Sequence, residues 1–317
     1  MNRFFLLLFA FSSPVFAQTD WPARPVTLIN PFAAASAVDV VTRLVAQQMT
    51  QNSGKSFLVE NRTGASGNIG TEAAAKARPD GYTFLVGSPG SMAINPFLFK
   101  KLPYDAEKDF VAVTTLASFP QVLIVNPKVP AQTLPELIAW VKANPGKSNH
   151  ASSGTGSTAH LVMELIKADA GLQITHVPYR GGAPATQAVI AGDVQMAVEG
   201  LPSLPAFLKA GSVRPIAVTS RQRAPSLPDV QAVSETIKDF DAAAWIILFA
   251  PAATPPAIVE RMSQEAVKAI GAPEVKAKLS DMGASAVGGT PAQTAAFHKR
   301  EMAKFKRAVE VSGARAE

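Results

Sequence analysis

The 317-residue chain contains no cysteine. That excludes disulfides, thiolate catalysis, iron–sulfur clusters, zinc sites with Cys ligands and lipid attachment through sulfur. Charge is also scarce, at 17% of residues against about 25% in an ordinary soluble protein. With 47% hydrophobic residues, the chain is not of the disordered type. Aromatics make up only 7%, no Lys/Arg run occurs, and the formal net charge is a mild +6. Nothing there points to nucleic acid. The four histidines, His150, His160, His176 and His298, show neither H-E-x-x-H spacing nor close pairing, which argues against a metal site. His298 is expected to be solvated on a charged terminal helix. His160, in the first turn of a helix, either lines a cleft or packs. No G-x-S-x-G elbow is present.

Long apolar runs are missing as well. Phe4 to Phe11 falls far short of the roughly 20 residues that a spanning helix needs. It follows Arg3, is broken by Ser12-Ser13-Pro14, and leads to Val15-Phe16-Ala17. This is the order of a secretory signal, so residues 1–17 are expected to be removed near Ala17 and the mature chain to begin near Gln18. The expected location is outside the cytoplasm, in the periplasm of a bacterium with a cell envelope. The stretch Ala242 to Ala253 contains Pro251 and reads as a buried strand followed by a turn.

What is present is alternation. Short β-branched runs (Val26 to Ile29, Phe57 to Val59, Tyr82 to Val86, Val122 to Val125, Ile174 to Val177, Val194 to Val198, Pro215 to Thr219) alternate with Ala-rich helical stretches. This predicts an α/β protein with mostly parallel sheets flanked by helices. Beyond Phe249 the pattern becomes helical: Ala257 to Ile270, Glu274 to Asp281, and Pro291 to Val311. The expected division is lobe 1 at 18–121 plus 246–317 and lobe 2 at 122–245.

Four strand-to-helix loops are rich in small residues: Pro31 to Ala37, Gly87 to Ser91, Ser152 to Thr158, and Tyr179 to Pro184. Ligands of open α/β sheets sit outside the carboxyl ends of the strands. Helix N-termini there offer free N–H groups to an anion. Two such loops in each half favour an anion cleft between two lobes. Gly154-Thr155-Gly156-Ser157-Thr158-Ala159 fits G-x-G-x-x-A, but Ile174 to Val177 stands where the ribose-binding acid belongs, so no dinucleotide and no other cofactor is expected. A secreted serine-type hydrolase would need Ser157 activated by His160, without an evident orienting acid.

The motifs together are similar to those of the substrate-binding receptors of tripartite tricarboxylate transporters, the Bug family. They run from Trp21-Pro22 and Arg24-Pro25-Val26-Thr27-Leu28-Ile29 through Val59-Glu60-Asn61-Arg62, Gly67-Asn68-Ile69-Gly70, Pro79-Asp80-Gly81-Tyr82-Thr83 and Ala93-Ile94-Asn95-Pro96. They continue through Lys101-Leu102-Pro103-Tyr104-Asp105, Ala151-Ser152-Ser153-Gly154 and His176-Val177-Pro178-Tyr179-Arg180-Gly181 to Leu227-Pro228-Asp229-Val230. The resemblance implies a two-lobed periplasmic binding protein of the type II-like, Venus-flytrap kind. Such a receptor is a monomer and not an enzyme. It closes over a small carboxylate and delivers it to membrane permease subunits, or signals to a sensor protein. The ligand is then held largely by backbone amides. The expected ligand-binding residues are Phe32, Ala34, Ala35, Ser36 and Asp39 in the first loop, and Ser88 and Ser91 in the next. Ser153, Gly154, Ser157, Thr158 and His160 follow, with Tyr179 and Glu199.

Two departures stand out. Ala35-Ser36 replaces the family's usual Gly-Gly, and Glu199-Gly200 replaces its usual Asp, often Asp-Asn. Ala in a left-handed conformation is strained. The loop is therefore expected to keep negative φ, with Ser36 as N-cap, Asp39 at the third helical position, and the Ser36 hydroxyl facing the cleft.

Overall fold

A computed structural model describes residues 21–34 and 36–316. The expected signal peptide and Ala35 lie outside the described residues.

Eleven strands and ten helices are present among those residues. The strands are β1 (Val26–Asn30), β2 (Phe57–Asn61), β3 (Thr83–Gly87), β4 (Phe110–Phe119), β5 (Gln121–Val125), β6 (Asn149–Ser152), β7 (Thr175–Pro178), β8 (Met196–Gly200), β9 (Arg214–Val218), β10 (Ala244–Pro251) and β11 (Ser285–Gly288). The helices are α1 (Ala37–Ser53), α2 (Asn68–Ala75), α3 (Asn95–Leu98), α4 (Leu134–Ala143), α5 (Thr158–Ala170), α6 (Gly182–Ala191), α7 (Pro205–Lys209), α8 (Pro256–Gly271), α9 (Pro273–Asp281) and α10 (Pro291–Ser312). They form two sheets, a six-stranded one in the order β11-β4-β10-β3-β1-β2 and a five-stranded one in the order β7-β6-β8-β5-β9.

The helices form where the sequence supplies a stripe and a cap. In α1, Val41, Val45 and Met49 recur every fourth residue and bury one face. The helix ends at Gly54, whose φ of 68° places it in the left-handed conformation that closes a helix.

The α/β architecture is as expected, with one correction: the sheets are mixed. Four strand pairings are parallel. Five are antiparallel. The antiparallel pairings all involve β4, β5 or β10, the strands that carry the chain between sheets. β4 passes through Pro120 directly into β5, and the segment after β9 returns the chain to β10. A strand that leaves one sheet and one that comes back run against their neighbours.

β10 is buried along its whole length, the signature of a strand covered on both faces. Burying Trp245 and Phe249 contributes about 1.5–3 kcal/mol each. One hydrophobic cluster joins the two sheets, with Leu85 and Ile247 of the first, Leu123 and Val198 of the second, and Phe305 of α10 between them. α10 packs on both β4 and α5, so it braces the two halves.

Other expectations need correction. The ten-residue β4 and the short β11 were not foreseen, and after β8 the chain makes one turn, Leu201–Ser203, before the short α7. His298 is not solvated. It is 7% exposed, and its Nε2 lies 2.8 Å from the carbonyl oxygen of Met92. His298 falls on the same buried face of α10 as Glu301, Met302 and Phe305, while its neighbours Lys299 and Arg300 are exposed.

Candidate functional site

A cavity of about 450 Å³ opens between the two sheets. Its first side comes from Phe32 and Val38, from Ser66, from Ser88 and Gly90, and from Asn95 and Leu98 of α3. Its second side is the continuous run Ser153 to Ala159 at the start of α5, with Glu199 and Gly200 at the end of β8. Phe119, Gln121, Ala244 and Trp245, on the strands that cross between sheets, form the back.

The first loop is set by α1. Ser36 has φ −66° and ψ 160°, and its hydroxyl accepts from the Asp39 N–H at 3.3 Å. This is the expected N-cap. Asp39 is buried beneath the loop rather than on the cavity wall. Asn61 Nδ2 donates to its Oδ1 at 2.7 Å, Asn30 Nδ2 donates to the same oxygen at 3.3 Å, and Arg43 Nε donates to Oδ2 at 3.0 Å. Asn61 Nδ2 also donates to the Phe32 carbonyl at 3.0 Å, so the same network holds the aromatic ring's backbone at the cavity.

Ser66 reaches the wall through strain. Its φ of 56° is left-handed, a conformation that costs a non-glycine residue about 1–2 kcal/mol. Asn95 Nδ2 donates to the Ser66 carbonyl at 3.0 Å and to Asn68 Oδ1 at 2.7 Å. The Tyr104 hydroxyl donates to the Ser91 carbonyl, and burial pushes that phenol well above its ordinary range.

The second wall is built on glycine and histidine. Gly154 (φ 134°) and Gly156 (φ 76°) allow a turn that no other residue takes without strain. The Ser157 hydroxyl caps α5 by accepting from the His160 N–H at 3.2 Å. Behind the loop three rings stack: His160 on His176 at 3.7 Å between centroids, and His176 on His150 at 4.9 Å. The Gly156 N–H donates to His160 Nδ1 at 3.1 Å, so that nitrogen carries no proton. Ser152 Oγ lies 2.6 Å from His176 Nε2, and that hydroxyl also donates to the Gly154 carbonyl at 3.0 Å.

Burial keeps the stack neutral. It lowers His150, takes His160 down to about 4, and takes His176 down to about 3 with help from the neighbouring rings. Glu164 underlies the stack, 3.3 Å from His150 Nε2 and 3.6 Å from His160 Nε2, and Lys167 Nζ donates to it at 2.6 Å. Burial alone would raise this carboxyl. Its hydrogen bonds from His150 and Lys167 prevail and hold it near 2.

At the back, Trp245 Nε1 donates to Glu301 of α10 at 3.0 Å, which orients the indole. Two buried side-chain atoms on this cavity have no hydrogen-bond partner among the described residues: Gln121 Nε2 and Glu199 Oε1. Burial raises the Glu199 carboxyl to about 7, against a backbone hydrogen bond from Gly200.

Of the residues that the sequence singled out, Phe32, Ser88, Ser153, Gly154, Ser157, Thr158 and Glu199 line one cavity. The structure corrects the others. Ala34 is exposed and off the wall. The Ser36 hydroxyl is used in the cap rather than in the cavity. Asp39, Ser91 and His160 are buried in the supporting layer. Tyr179 is half-buried against the hydrophobic cluster of the second sheet, its N–H donating to the Ser152 carbonyl at 2.9 Å. Ala35 lies outside the described residues. His160 Nδ1 and Nε2 face Gly156 and Glu164, so no Ser157–His160 side-chain hydrogen bond of a hydrolase is recorded among the described residues.

The sequence reading missed Val38, Ser66, Asn95, Leu98, Gln121 and Trp245. Asn95 sits in a motif that reading quoted, but the others carry no local signal.

Residues 41–313 match the family model described as "Tripartite tricarboxylate transporter family receptor". The chain is 36% identical over 291 residues to a "UPF0065 protein in tcbD-tcbE intergenic region" of Pseudomonas sp. strain P51, covering 91% of this chain and 86% of that one. Among solved structures, R. palustris Rpa4515 with adipate is 34% identical with a TM-score of 0.83, covering 93% of this chain and 99% of that one. MatC from Rhodopseudomonas palustris with bound malate is 30% identical with a TM-score of 0.78, covering 91% and 100%.

Proposed function

The chain belongs to the tripartite tricarboxylate transporter family of receptors, and from that premise we propose how its cavity serves a periplasmic receptor for a small organic carboxylate. The cavity between the sheets is the ligand site. One carboxylate of the ligand lies at the N-terminus of α5, against the backbone of Ser157, Thr158 and Ala159. The receptor then hands the ligand to membrane permease subunits and performs no chemistry on it.

The observation that carries this reading is the arrangement at α5. A 13-residue helix opens its N-terminus onto the cavity. Its first N–H groups and its dipole favour an anion. Around it stand neutral donors and acceptors such as Ser66, Ser88, Asn95 and Ser153, and no Lys or Arg is among the described lining residues. Adipate and malate, the ligands of two similar structures, are both small carboxylates.

Two lobes, 18–121 plus 246–317 and 122–245, close over the ligand. The crossing strands support that division to within two residues, since Gln121 begins β5 and Ala244 begins β10. The mature chain starts at Gln18, after cleavage at Ala17.

Thermal-shift measurement of the mature chain against small mono- and dicarboxylates tests the reading, because a ligand bound only by the folded state raises the melting temperature. The expected result is a rise with at least one acid and no hydrolysis of p-nitrophenyl acetate. No shift with any acid, or ester turnover lost in Ser157→Ala, contradicts it.

A further inference from the structure

The end of the cavity formed by β8 presents a carboxyl group with no cationic side chain paired to it among the described residues. Glu199 is 8% exposed and lines the cavity, and its Oε1 has no hydrogen-bond partner among the described residues. Its position is fixed from behind. A methyl group on Gly182, at the start of α6, would come within 2.8 Å of its Oε2, so the carboxyl is pressed against backbone on that side and its remaining freedom is toward the cavity.

Among the described residues no cationic side chain pairs with this carboxyl, and the favourable field it meets is that of the α6 N-terminus at Gly182. The elements packed on β8 are β5, β6, α5 and α6. Neither β5 nor α6 carries a titratable side chain. β6 contributes His150, and α5 contributes His160, Glu164, Lys167 and Asp169. His150, His160 and Lys167 are committed to Glu164, and Asp169 pairs with Arg307. Arg180, on the loop before α6, is exposed, and no ion pair to Glu199 occurs among the described residues. A buried carboxyl without a cation keeps its proton to a higher pH than an exposed one, because the ionised form is far costlier to desolvate. The value of about 7 agrees with that geometry.

A neutral Glu199 is a hydrogen-bond donor. Gln121 Nε2, the second unpartnered group on this cavity, is a donor as well. With a first carboxylate at α5, two unused donors elsewhere on the wall suit a second anionic group.

We propose that Glu199 binds in its protonated form to the distal carboxylate of a dicarboxylate ligand, so that at alkaline pH, where the free carboxyl is ionised, the receptor takes up one proton with its ligand. This rests on the reading of the cavity as a carboxylate site and names its substrate class. The proton passes to no other group; it bridges the two carboxyl groups and leaves with the ligand or returns to solvent on release. A ligand bearing an ammonium group at the same place would instead demand ionised Glu199 and release a proton.

The test is calorimetry of the mature chain with adipate, hexanoate and glutamate from pH 5.5 to 8.5, in buffers of differing ionisation enthalpy. Adipate is a dianion over most of that range. The expected result is adipate binding with uptake approaching one proton above pH 7.5, and affinity falling toward tenfold per pH unit there. Glu199→Gln, which keeps the shape and a fixed N–H donor, should bind adipate with affinity independent of pH and no proton uptake. The proposal is overturned by adipate binding that takes up no proton, by a pH slope unchanged in Glu199→Gln, or by glutamate binding with proton release. Hexanoate binding as tightly as adipate overturns it while leaving the carboxylate reading intact. Failure of all three acids with both proteins overturns the carboxylate reading itself.

Discussion

The Gly156 N–H donates to His160 Nδ1 at 3.1 Å, so a ring buried behind the cavity wall fixes the loop that forms that wall. Removing the ring leaves a buried donor unpaired, which costs about 1–3 kcal/mol. His160→Ala should lower the unfolding free energy in urea by at least that amount and weaken carboxylate binding about tenfold or more. Wild-type stability and affinity in this variant would contradict the assignment.

The three stacked rings give stability a definite pH dependence. His160 titrates near 4 and His176 near 3 in the folded chain, against 6.5 for an unperturbed ring, and burial is the first cause of both shifts. As pH falls, the unfolded chain takes up these protons first. The stability that the neutral stack confers is complete above about pH 6.5 and drains away toward pH 4 and below. Glu164 acts in the same direction at lower pH, its contribution being lost between 4.5 and about 2. Unfolding free energies from urea titrations should fall between pH 7 and 4, by up to about 1.4 kcal/mol per pH unit for each ring, and the midpoints with them. A midpoint that is flat over that interval would count against a neutral stack.

Ser36 acts as a cap and leaves the cavity alone. Ser36→Ala should cost about 0.5–2 kcal/mol and Ser36→Gly only a few tenths. Because the hydroxyl accepts from the Asp39 N–H and is absent from the cavity wall, neither change should move the ligand dissociation constant by more than about twofold. Melting temperature and calorimetry on the two variants check both statements. A large affinity change in Ser36→Ala at unaltered stability would restore the cleft-facing role that the sequence suggested.

Gly156 marks where the two walls touch. A Cβ there would collide with the side chain of Leu98, and φ is 76°. Gly156→Ala should therefore hold the lobes apart and weaken ligand binding. Leu98→Ala in the same chain should recover the part due to the collision, but not the part due to backbone strain. A double variant no better than the single one would place the whole effect in the backbone.

Much of this was legible in the sequence, for local reasons. The alternation of β-branched runs and Ala-rich stretches is a local pattern, and so is the Ser36 cap with its partner three residues on. The failures are non-local. The histidine stack depends on the parallel register that sets His150 beside His176 across two strands, with His160 brought over them by the following helix. Their spacing in the chain says nothing of this. Gln121 and Trp245 reach the cavity because β5 and β10 begin at its edge, and the fold alone decides that. β4 was overlooked because its ten residues include Thr114, Thr115 and Ser118, polar side chains that break the apolar run yet satisfy themselves elsewhere: the Ser118 hydroxyl donates to the Ala244 carbonyl at 3.0 Å, and that of Thr114 to the Gly289 carbonyl at 2.9 Å.

The most direct test of the account compares an acid with its amide. The charge at the N-terminus of α5 is what the cavity is argued to read, and removing it changes little else in the ligand's shape. Calorimetry of the mature chain with adipate and with adipamide, at pH 6.5 and low salt, measures that difference. The expected result is binding of the diacid and a loss of at least a hundredfold for the diamide. Equal affinity for the two would contradict it.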